Sequence, residues 1–244
     1  MDYDLQHILV LDIETISCVE QYNELDERLQ KQWDKKSASF KEADVKSSSE
    51  LFGEKAGIYA EFGKVVAIAL GFFVVDDSTK KIGLRVKAIA GEDEPKVLSD
   101  FKNLLETKFD QDNLQLCAHN GKEFDFPYLC RRMLVNGISL PSILDTGGKK
   151  PWEVNHIDTM ELWKFGDRKN YTSLDLLASL FDVPSSKDQI DGSMVTNVYY
   201  KEKGLSRIAT YCMHDVAVTS QVFLKLNNIQ NFDPLNIKYL PISV

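Results

Sequence analysis

Apolar residues follow strand-like spacing in the first third of the chain. Ile8 to Leu11 is a short apolar run that predicts a buried strand, and Lys64 to Val75 is almost continuously apolar, as in a central strand buried on both faces. After a turn at residues 76–78, Ile82 to Ala88 alternates between apolar and polar positions, which predicts a strand with one exposed face. Three strands in this order predict an antiparallel start to a sheet.

Helical spacing dominates the remainder of the chain. It predicts helices near residues 97–109, 126–134 and 205–227, and further helical segments from Asp158 onward. Short strands are predicted at 114–118 and around 154–157. Antiparallel strands followed by alternating helices and strands predict one α/β domain with a mixed β-sheet, antiparallel in its first three strands and then parallel, flanked by helices.

Residues 19–60 interrupt this arrangement. Apolar residues from Val19 to Trp33 recur at helical spacing and predict an amphipathic helix over 19–36. The polar, serine-rich segment from Ser37 to Glu50 predicts a mobile loop. We interpret 19–60 as a helical and loop excursion from a single domain that spans residues 1–244.

Composition is that of an ordinary soluble protein, with 244 residues, 43% of them hydrophobic and 27% charged. No apolar run reaches the ~20 residues of a transmembrane helix, and the acidic start lacks the layout of a secretion signal, so we expect a cytoplasmic protein. The net charge of −8 argues against binding nucleic acid mainly by bulk electrostatics. It remains compatible with an enzyme that grips a few phosphates through metal ions.

The cysteines give little sign of a disulfide or zinc framework. All four are far apart in the sequence, at Cys18, Cys117, Cys130 and Cys212, and we expect them to be reduced. A zinc site built on Cys117 and His119 would need a second closely spaced pair of ligands, which the sequence lacks.

Two carboxylates follow the first predicted strand. Asp12 and Glu14 are two residues apart, so in an extended segment they point to the same face. Unpaired charges beside an apolar platform are costly, and a hard divalent cation such as Mg²⁺ or Mn²⁺ prefers carboxylate ligands. Taken alone, the pair is more simply explained as a solvated strand end, so the interpretation depends on matching acids elsewhere.

Two more acids fall on suitable elements. Asp125 lies between a predicted strand and a predicted helix, where an aspartate is also common as a helix cap. Asp215 lies inside an otherwise apolar helix, where an acid usually needs a partner, and Tyr211 is one turn away on the same face.

Together these residues resemble the DEDD superfamily of 3′–5′ exonucleases, which have a ribonuclease H-like fold. The three motifs occur in the expected order as Asp12-Ile13-Glu14, Asn120-x-x-x-Phe124-Asp125 and Tyr211-x-x-x-Asp215. In the histidine-bearing branch a histidine stands five residues before the final aspartate, and that position here is Thr210. The chain therefore resembles the tyrosine-bearing branch, DEDDy.

Within that branch the chain is most similar to the proofreading exonuclease domain of family-B DNA polymerases, as a stand-alone version. The similarity extends over about residues 5–228 and omits the region 19–50. Besides the three motifs, it is carried by Ala60-Glu61-Phe62-Gly63-Lys64-Val65-Val66, Asp191-Gly192 and Tyr211-Cys212.

The resemblance implies a mechanism and a set of site residues. Asp12, Glu14, Asp125 and Asp215 would hold two divalent cations, Mg²⁺ or Mn²⁺, about 3.5–4 Å apart, and Tyr211 would orient the attacking water. The implied partner is the 3′ end of single-stranded nucleic acid, with DNA expected rather than RNA, cleaved to nucleoside monophosphates. The residues implied to bind this end are Ile13, Thr15, Asn120 and Phe124.

Two rival interpretations stay open at this point, an RNA-trimming enzyme of the same branch and an inactive DEDD-fold module that only binds nucleic acid. A short-chain dehydrogenase, suggested by Tyr199-x-x-x-Lys203, is rejected because acids replace the glycine-rich turn after the first strand. Phosphate contacts are conceivable, without a preference among them, for Lys122, Arg131, Lys149, Lys150, Arg168 and Lys169.

Overall fold

The computed structural model describes residues 3–167, 171–185 and 192–243, and a mixed sheet of six strands forms the centre of this described part. The strands are β1 (Ile8–Ser17), β2 (Gly63–Val75), β3 (Ile82–Ala90), β4 (Gln115–Ala118), β5 (Ile157–Asp158) and β6 (Phe232–Tyr239). Their spatial order is β5-β4-β1-β2-β3-β6. β1, β2 and β3 pair in antiparallel fashion, and β4 on β1, β5 on β4 and β6 on β3 are parallel, which confirms the predicted mixed sheet.

Helices cover both faces of the sheet. The helices are α1 (Glu27–Ser37), α2 (Ser48–Lys55), α3 (Glu94–Lys108), α4 (Asp125–Val135), α5 (Thr159–Lys164), α6 (Leu174–Leu180), α7 (Val195–Tyr200) and α8 (Leu205–Leu226). Alternate residues of β1 point to opposite sides: Ile8 and Val10 pack with α7 and α8, whereas Leu9 and Leu11 pack with α3 and α4. None of the helices in the described ranges has the length and apolar character needed to cross a membrane.

The first strand is longer than the sequence predicts. The predicted strand ends at Leu11, but β1 continues to Ser17, because Asp12 and Glu14 still pair with β2, opposite Ala69 and Ala67. The two acids therefore lie inside a central strand, and the interpretation as a solvated strand end is wrong. A shift in register follows Glu14, and such irregularities often occur next to active sites.

The excursion over residues 19–60 contains a first helix that starts later than predicted and a second helix, α2, that was not predicted. The predicted helix over 19–36 begins only at Glu27, because the Asp26 carboxylate accepts hydrogen bonds from the first free N–H groups of α1. The predicted loop over 37–50 ends at Ser47, whose hydroxyl caps α2. The two helices pack together through Trp33 of α1, which is fully buried and whose indole N–H donates to the Ser48 carbonyl of α2 at 2.8 Å.

A buried ion pair fixes α4 to the rest of the molecule. Arg132 on α4 contacts Glu94 on α3 through two hydrogen bonds of 2.9 and 2.6 Å and donates a third to the Ala60 carbonyl. Glu94 also accepts the backbone N–H of Val65 on β2 at 2.8 Å. Both charged residues are less than 10% exposed, so each charge depends on the other for its stabilisation.

We expect Arg132→Ala to lower the free energy of unfolding by about 3–5 kcal/mol, because it leaves the Glu94 carboxylate buried without its counter-charge. Urea unfolding monitored by circular dichroism measures the change. The neighbouring Arg131 is exposed on the same helix, so Arg131→Ala should stay within about 0.5 kcal/mol of the unaltered protein. Equal stability of the two variants would show that the ion pair contributes nothing net.

Candidate active site

Asp12 and Glu14 lie side by side on the α8 side of β1. Cys212 on α8 packs against them, and its thiol donates to the backbone carbonyl and to Oδ2 of Asp12, at 3.3 Å each. One potential ligand atom from each of the three residues lies within 4.8 Å of the others. The sequence shows Cys212 only as the neighbour of Tyr211 in a family-like pair, and its contact with Asp12 could not be predicted from it.

Asp125 is tied directly to the backbone between the first two acids. It is the first residue of α4, it is 3% exposed, and its Oδ1 accepts the N–H of Ile13 at 3.1 Å. The N-cap position of α4 is Phe124. Asp125 is therefore not the helix cap, which was the alternative role considered for it from the sequence. Its carboxylate instead joins the loop before α4 to β1.

Tyr211 and Asp215 reach the same place from α8. The Tyr211 hydroxyl donates a hydrogen bond to the Asp215 carboxylate. Burial, and after it the negative charges of Asp215, Glu14 and Asp12, raise the pKa of Tyr211 above its ordinary value. The phenol is therefore neutral near pH 7, and its oxygen lies within the field of three carboxylates.

The four acids form one electrostatic cluster. Burial, followed by the charges of Asp125, Asp215 and Glu14, raises the pKa of Asp12 well above its usual range. Burial and then Asp215 and Asp125 do the same for Glu14. Burial raises the pKa of Asp125 to about 7, although the N–H groups of Asp125 itself and of Ile13 oppose the shift. The structure thus brings together all four carboxylates that the sequence singled out.

This donor set fits a hard divalent cation. Crowded carboxylates that repel one another gain most from a positive charge between them, and Mg²⁺ and Mn²⁺ prefer oxygen ligands. The Cys212 sulfur offers one additional, softer donor beside the pair Asp12 and Glu14.

The residues implied to bind the substrate are distributed around the acids. Thr15 follows the register shift and its side chain interacts with Tyr128. Phe124 is half-buried, with its ring 5.4 Å from that of Tyr128. The side chain of Ile13 faces the α3 and α4 side, opposite to Asp12 and Glu14, and is 5% exposed.

Asn120 has an unusual environment. Its backbone adopts a left-handed conformation with φ of 62°, which asparagine tolerates better than most residues. Its side-chain oxygen Oδ1 is buried and has no hydrogen-bond partner among the described residues. Because an unsatisfied buried acceptor is costly, this oxygen is suited to bind a group that the protein itself does not supply.

Asp158 holds the Asn120 loop and was not identified from the sequence as part of the site. Its carboxylate accepts the N–H groups of Asn120 at 3.0 Å and of Lys122 at 3.1 Å, and it also caps α5. The capping role could have been predicted from an aspartate before a helix, but the contact with a loop 38 residues earlier could not. Three residues named in the sequence analysis, Arg168, Lys169 and Asp191, lie outside the described residues.

Comparisons with known proteins identify the family to which the chain is similar. A family described as predicted 3′–5′ exonucleases related to the exonuclease domain of PolB matches residues 58–236. DNA polymerase 1 of Pyrococcus abyssi is 25% identical over 135 residues, which cover 50% of this chain and 17% of the polymerase. The matched segment therefore covers less than a fifth of the length of this relative.

A solved polymerase structure shows the same fold. The family B DNA polymerase from the archaeon Pyrobaculum calidifontis matches with a TM-score of 0.50 and 16% identity, over 89% of this chain and 24% of the polymerase. The RNase domain of the yeast Pop2 protein matches with a TM-score of 0.39 and 10% identity, over 96% of this chain and 81% of that domain.

Proposed function

Since the chain belongs to the family of predicted 3′–5′ exonucleases related to the exonuclease domain of PolB, we propose that it hydrolyses phosphodiester bonds from the 3′ end of single-stranded DNA and releases nucleoside monophosphates. The observation that carries this proposal is the cluster of four carboxylates and one neutral tyrosine formed by β1, α4 and α8. Family membership alone supports the coarser activity, a 3′–5′ exonuclease; the substrate and the roles of the residues below are our proposal.

In this proposal Asp12, Glu14, Asp125 and Asp215 hold two divalent cations, Mg²⁺ or Mn²⁺. When bound, the cations activate a water molecule and offset the charge that develops on the phosphate. The Ile13 N–H keeps the Asp125 carboxylate beside β1, and the Cys212 thiol keeps that of Asp12 in place.

Tyr211 orients the attacking water in this scheme. Its phenol is neutral and donates to Asp215, so its oxygen still has lone pairs that accept a hydrogen bond from the water. A neutral donor and acceptor positions the water without adding charge to an already acidic cluster.

Asn120 and Phe124 are suited to hold the terminal nucleotide. The unpartnered Oδ1 of Asn120 can accept a hydrogen bond from the sugar or the base, and the half-buried ring of Phe124 can stack on a base. Thr15, next to Glu14 along β1, is the third residue that we assign to this contact. Stacking tolerates any base, as an enzyme that shortens a strand stepwise requires.

The proposal is tested with matched DNA and RNA oligonucleotides that carry a label at the 5′ or the 3′ end, incubated with Mg²⁺, Mn²⁺ or EDTA. We expect the 3′-labelled DNA strand to release labelled mononucleotide first and the 5′-labelled strand to shorten in single steps. EDTA should stop both reactions, because the carboxylates alone cannot activate water. Single-stranded ends should be cleaved faster than blunt duplex ends.

A preparation of the Asp12→Asn variant, purified in the same way, controls for contaminating nuclease. Internal cuts in circular single-stranded DNA, equal rates on blunt duplex and single strand, or full activity in EDTA would each contradict the proposal. A higher rate on RNA than on DNA would change the proposed substrate from DNA to RNA and leave the proposed reaction unchanged.

A further inference from the structure

A separate cavity adjoins the loop that leads into Asp125. It has a volume of about 510 Å³, within the ~300–1,000 Å³ of typical small-molecule sites. We name it the Trp152 pocket; its wall includes Lys122, Phe126, Trp152, His156 and Glu161. Lys122 belongs to the loop that begins at Asn120, and Phe126 directly follows Asp125, so the segment that carries Asp125 also forms part of the pocket wall.

The walls of the Trp152 pocket are aromatic. Trp152 is 76% exposed, and the ammonium group of Lys150 lies 5.3 Å from the centre of its ring. Deeper in the wall, the rings of Phe126 and His156 lie 4.7 Å apart and are largely buried. Burial lowers the pKa of His156 to about 4, against the opposing effect of the Ile143 backbone, so the ring is neutral at pH 7. Trp152 therefore offers a flat, uncharged surface of the kind that stacks on heterocycles, and the largely buried rings of Phe126 and His156 also line the pocket.

The polar groups at the pocket favour a base over a bare phosphate. Lys122 is already paired with Glu161 at 2.7 Å, and Glu123 adds a second carboxylate to the lining. Two acids repel a free polyanion, whereas a carboxylate accepts hydrogen bonds from exocyclic amino groups such as N4 of cytosine. Lys150 beside Trp152 supplies a positive charge for the phosphate attached to such a base.

We propose that the Trp152 pocket is a second base-binding subsite, which takes a nucleobase of the substrate strand upstream of the 3′-terminal nucleotide; this rests on the proposed exonuclease function. The strand then contacts both sides of the loop from Asn120 to Asp125. Trp152 stacks on the upstream base, while the terminal phosphodiester lies at the four acids.

The test uses 12-nucleotide DNA strands with one abasic site placed in turn at positions 2 to 6 from the 3′ end. Affinity is measured by fluorescence anisotropy, and cleavage of the terminal nucleotide by single-turnover kinetics at saturating enzyme. For the unaltered protein, one abasic position should raise Kd by about 5- to 150-fold, the loss of one base–aromatic stack. The cleavage rate at saturation should stay unchanged, because the subsite does not touch the scissile bond.

Trp152→Ala should raise Kd for the intact strand by a similar factor and should remove the effect of that abasic position, since both changes delete the same contact. Trp152→Phe should restore most of the affinity. Both substitutions are at an exposed site, so folding is not at risk. Leu235→Ala is the matched control, because Leu235 is a 96% exposed apolar residue on β6, at the opposite edge of the sheet from β5.

Unchanged affinity in Trp152→Ala, or an abasic effect that persists in this variant, would overturn the subsite and leave the pocket to another occupant, such as a peptide. These results are distinct from failure of the proposed function. If the unaltered protein cleaves the intact strand, the function stands whatever the Trp152 variants do. If it binds the strand with the expected dependence on Trp152 but does not cleave it, the subsite stands and the exonuclease proposal fails.

Discussion

Asp12→Asn should slow release of the 3′-terminal nucleotide by at least about 1,000-fold, the upper end of the cost of losing one transition-state contact. The substitution keeps the size of the side chain and removes the charge of a residue that lies against Glu14 and Cys212. A neutral amide is a weaker ligand for a hard cation, so the loss affects both binding of the metal and activation of water. Single-turnover cleavage in Mn²⁺ measures the effect.

The stability of the same variant separates a functional loss from misfolding. The folded-state pKa of Asp12 is raised, so in the unaltered protein the stability linked to this group is complete below its unfolded pKa and is lost as the pH rises through its folded pKa. Asp12→Asn lacks this penalty. In EDTA we therefore expect a Tm at or above that of the unaltered protein, with a larger difference at pH 8 than at pH 5. An inactive variant with a lowered Tm at both pH values would indicate a structural role for Asp12.

Tyr211→Phe should slow the chemical step by about 10- to 1,000-fold, as expected for loss of a single positioning hydrogen bond. The change removes only the hydroxyl that donates to Asp215 and leaves the ring packed on α8. Binding of Mn²⁺ and of a 3′ end should survive, since neither requires the phenol oxygen. Calorimetric titration with Mn²⁺ and single-turnover cleavage measure the two effects separately.

A second tyrosine provides the matched control for this prediction. Tyr22, in the excursion, donates its hydroxyl to the Asp34 carboxylate at 2.8 Å. Tyr22→Phe therefore removes the same kind of hydrogen bond away from the four acids and should leave the rate unchanged. If Tyr211→Phe cleaves at the rate of the unaltered protein, Tyr211 only contributes to packing. The assignment to the tyrosine-bearing branch would then lack the residue that defines this branch.

Elements with a strong local pattern could be predicted from the sequence, whereas elements that depend on distant contacts could not. β2, β3, α3, α4 and α8 were predicted within a few residues, because β2 is an almost continuous apolar run and each of the others has an apolar face with a clear period of two or of about 3.6. β6 was not predicted: its residues are half-buried or exposed with no clean alternation, and it is a strand because β3 offers a free edge. β5 is also shorter than predicted, with only Ile157 and Asp158 paired to β4.

The candidate active site likewise combines features that the local sequence sets with features that only distant contacts set. The sequence by itself determined which acids are present, that Asp12 and Glu14 share a face of a strand, and that Tyr211 and Asp215 share a face of a helix. The members of these pairs are two and four residues apart, and over such short distances the geometry of a strand or a helix fixes which way the side chains point.

Only the tertiary structure decided that the pair Asp12 and Glu14 meets the pair Tyr211 and Asp215. The bond from the Ile13 N–H to Asp125 spans 112 residues, and the contact of Cys212 with Asp12 spans 200. Such contacts depend on the central place of β1 in the sheet, with β4 beside it and α8 packed across it. Packing of distant apolar faces sets that arrangement, and no local pattern of charges encodes it. The raised pKa values of Asp12, Glu14 and Asp125 follow from the same burial, so the suitability of this site for a cation is a property of the fold rather than of any one motif.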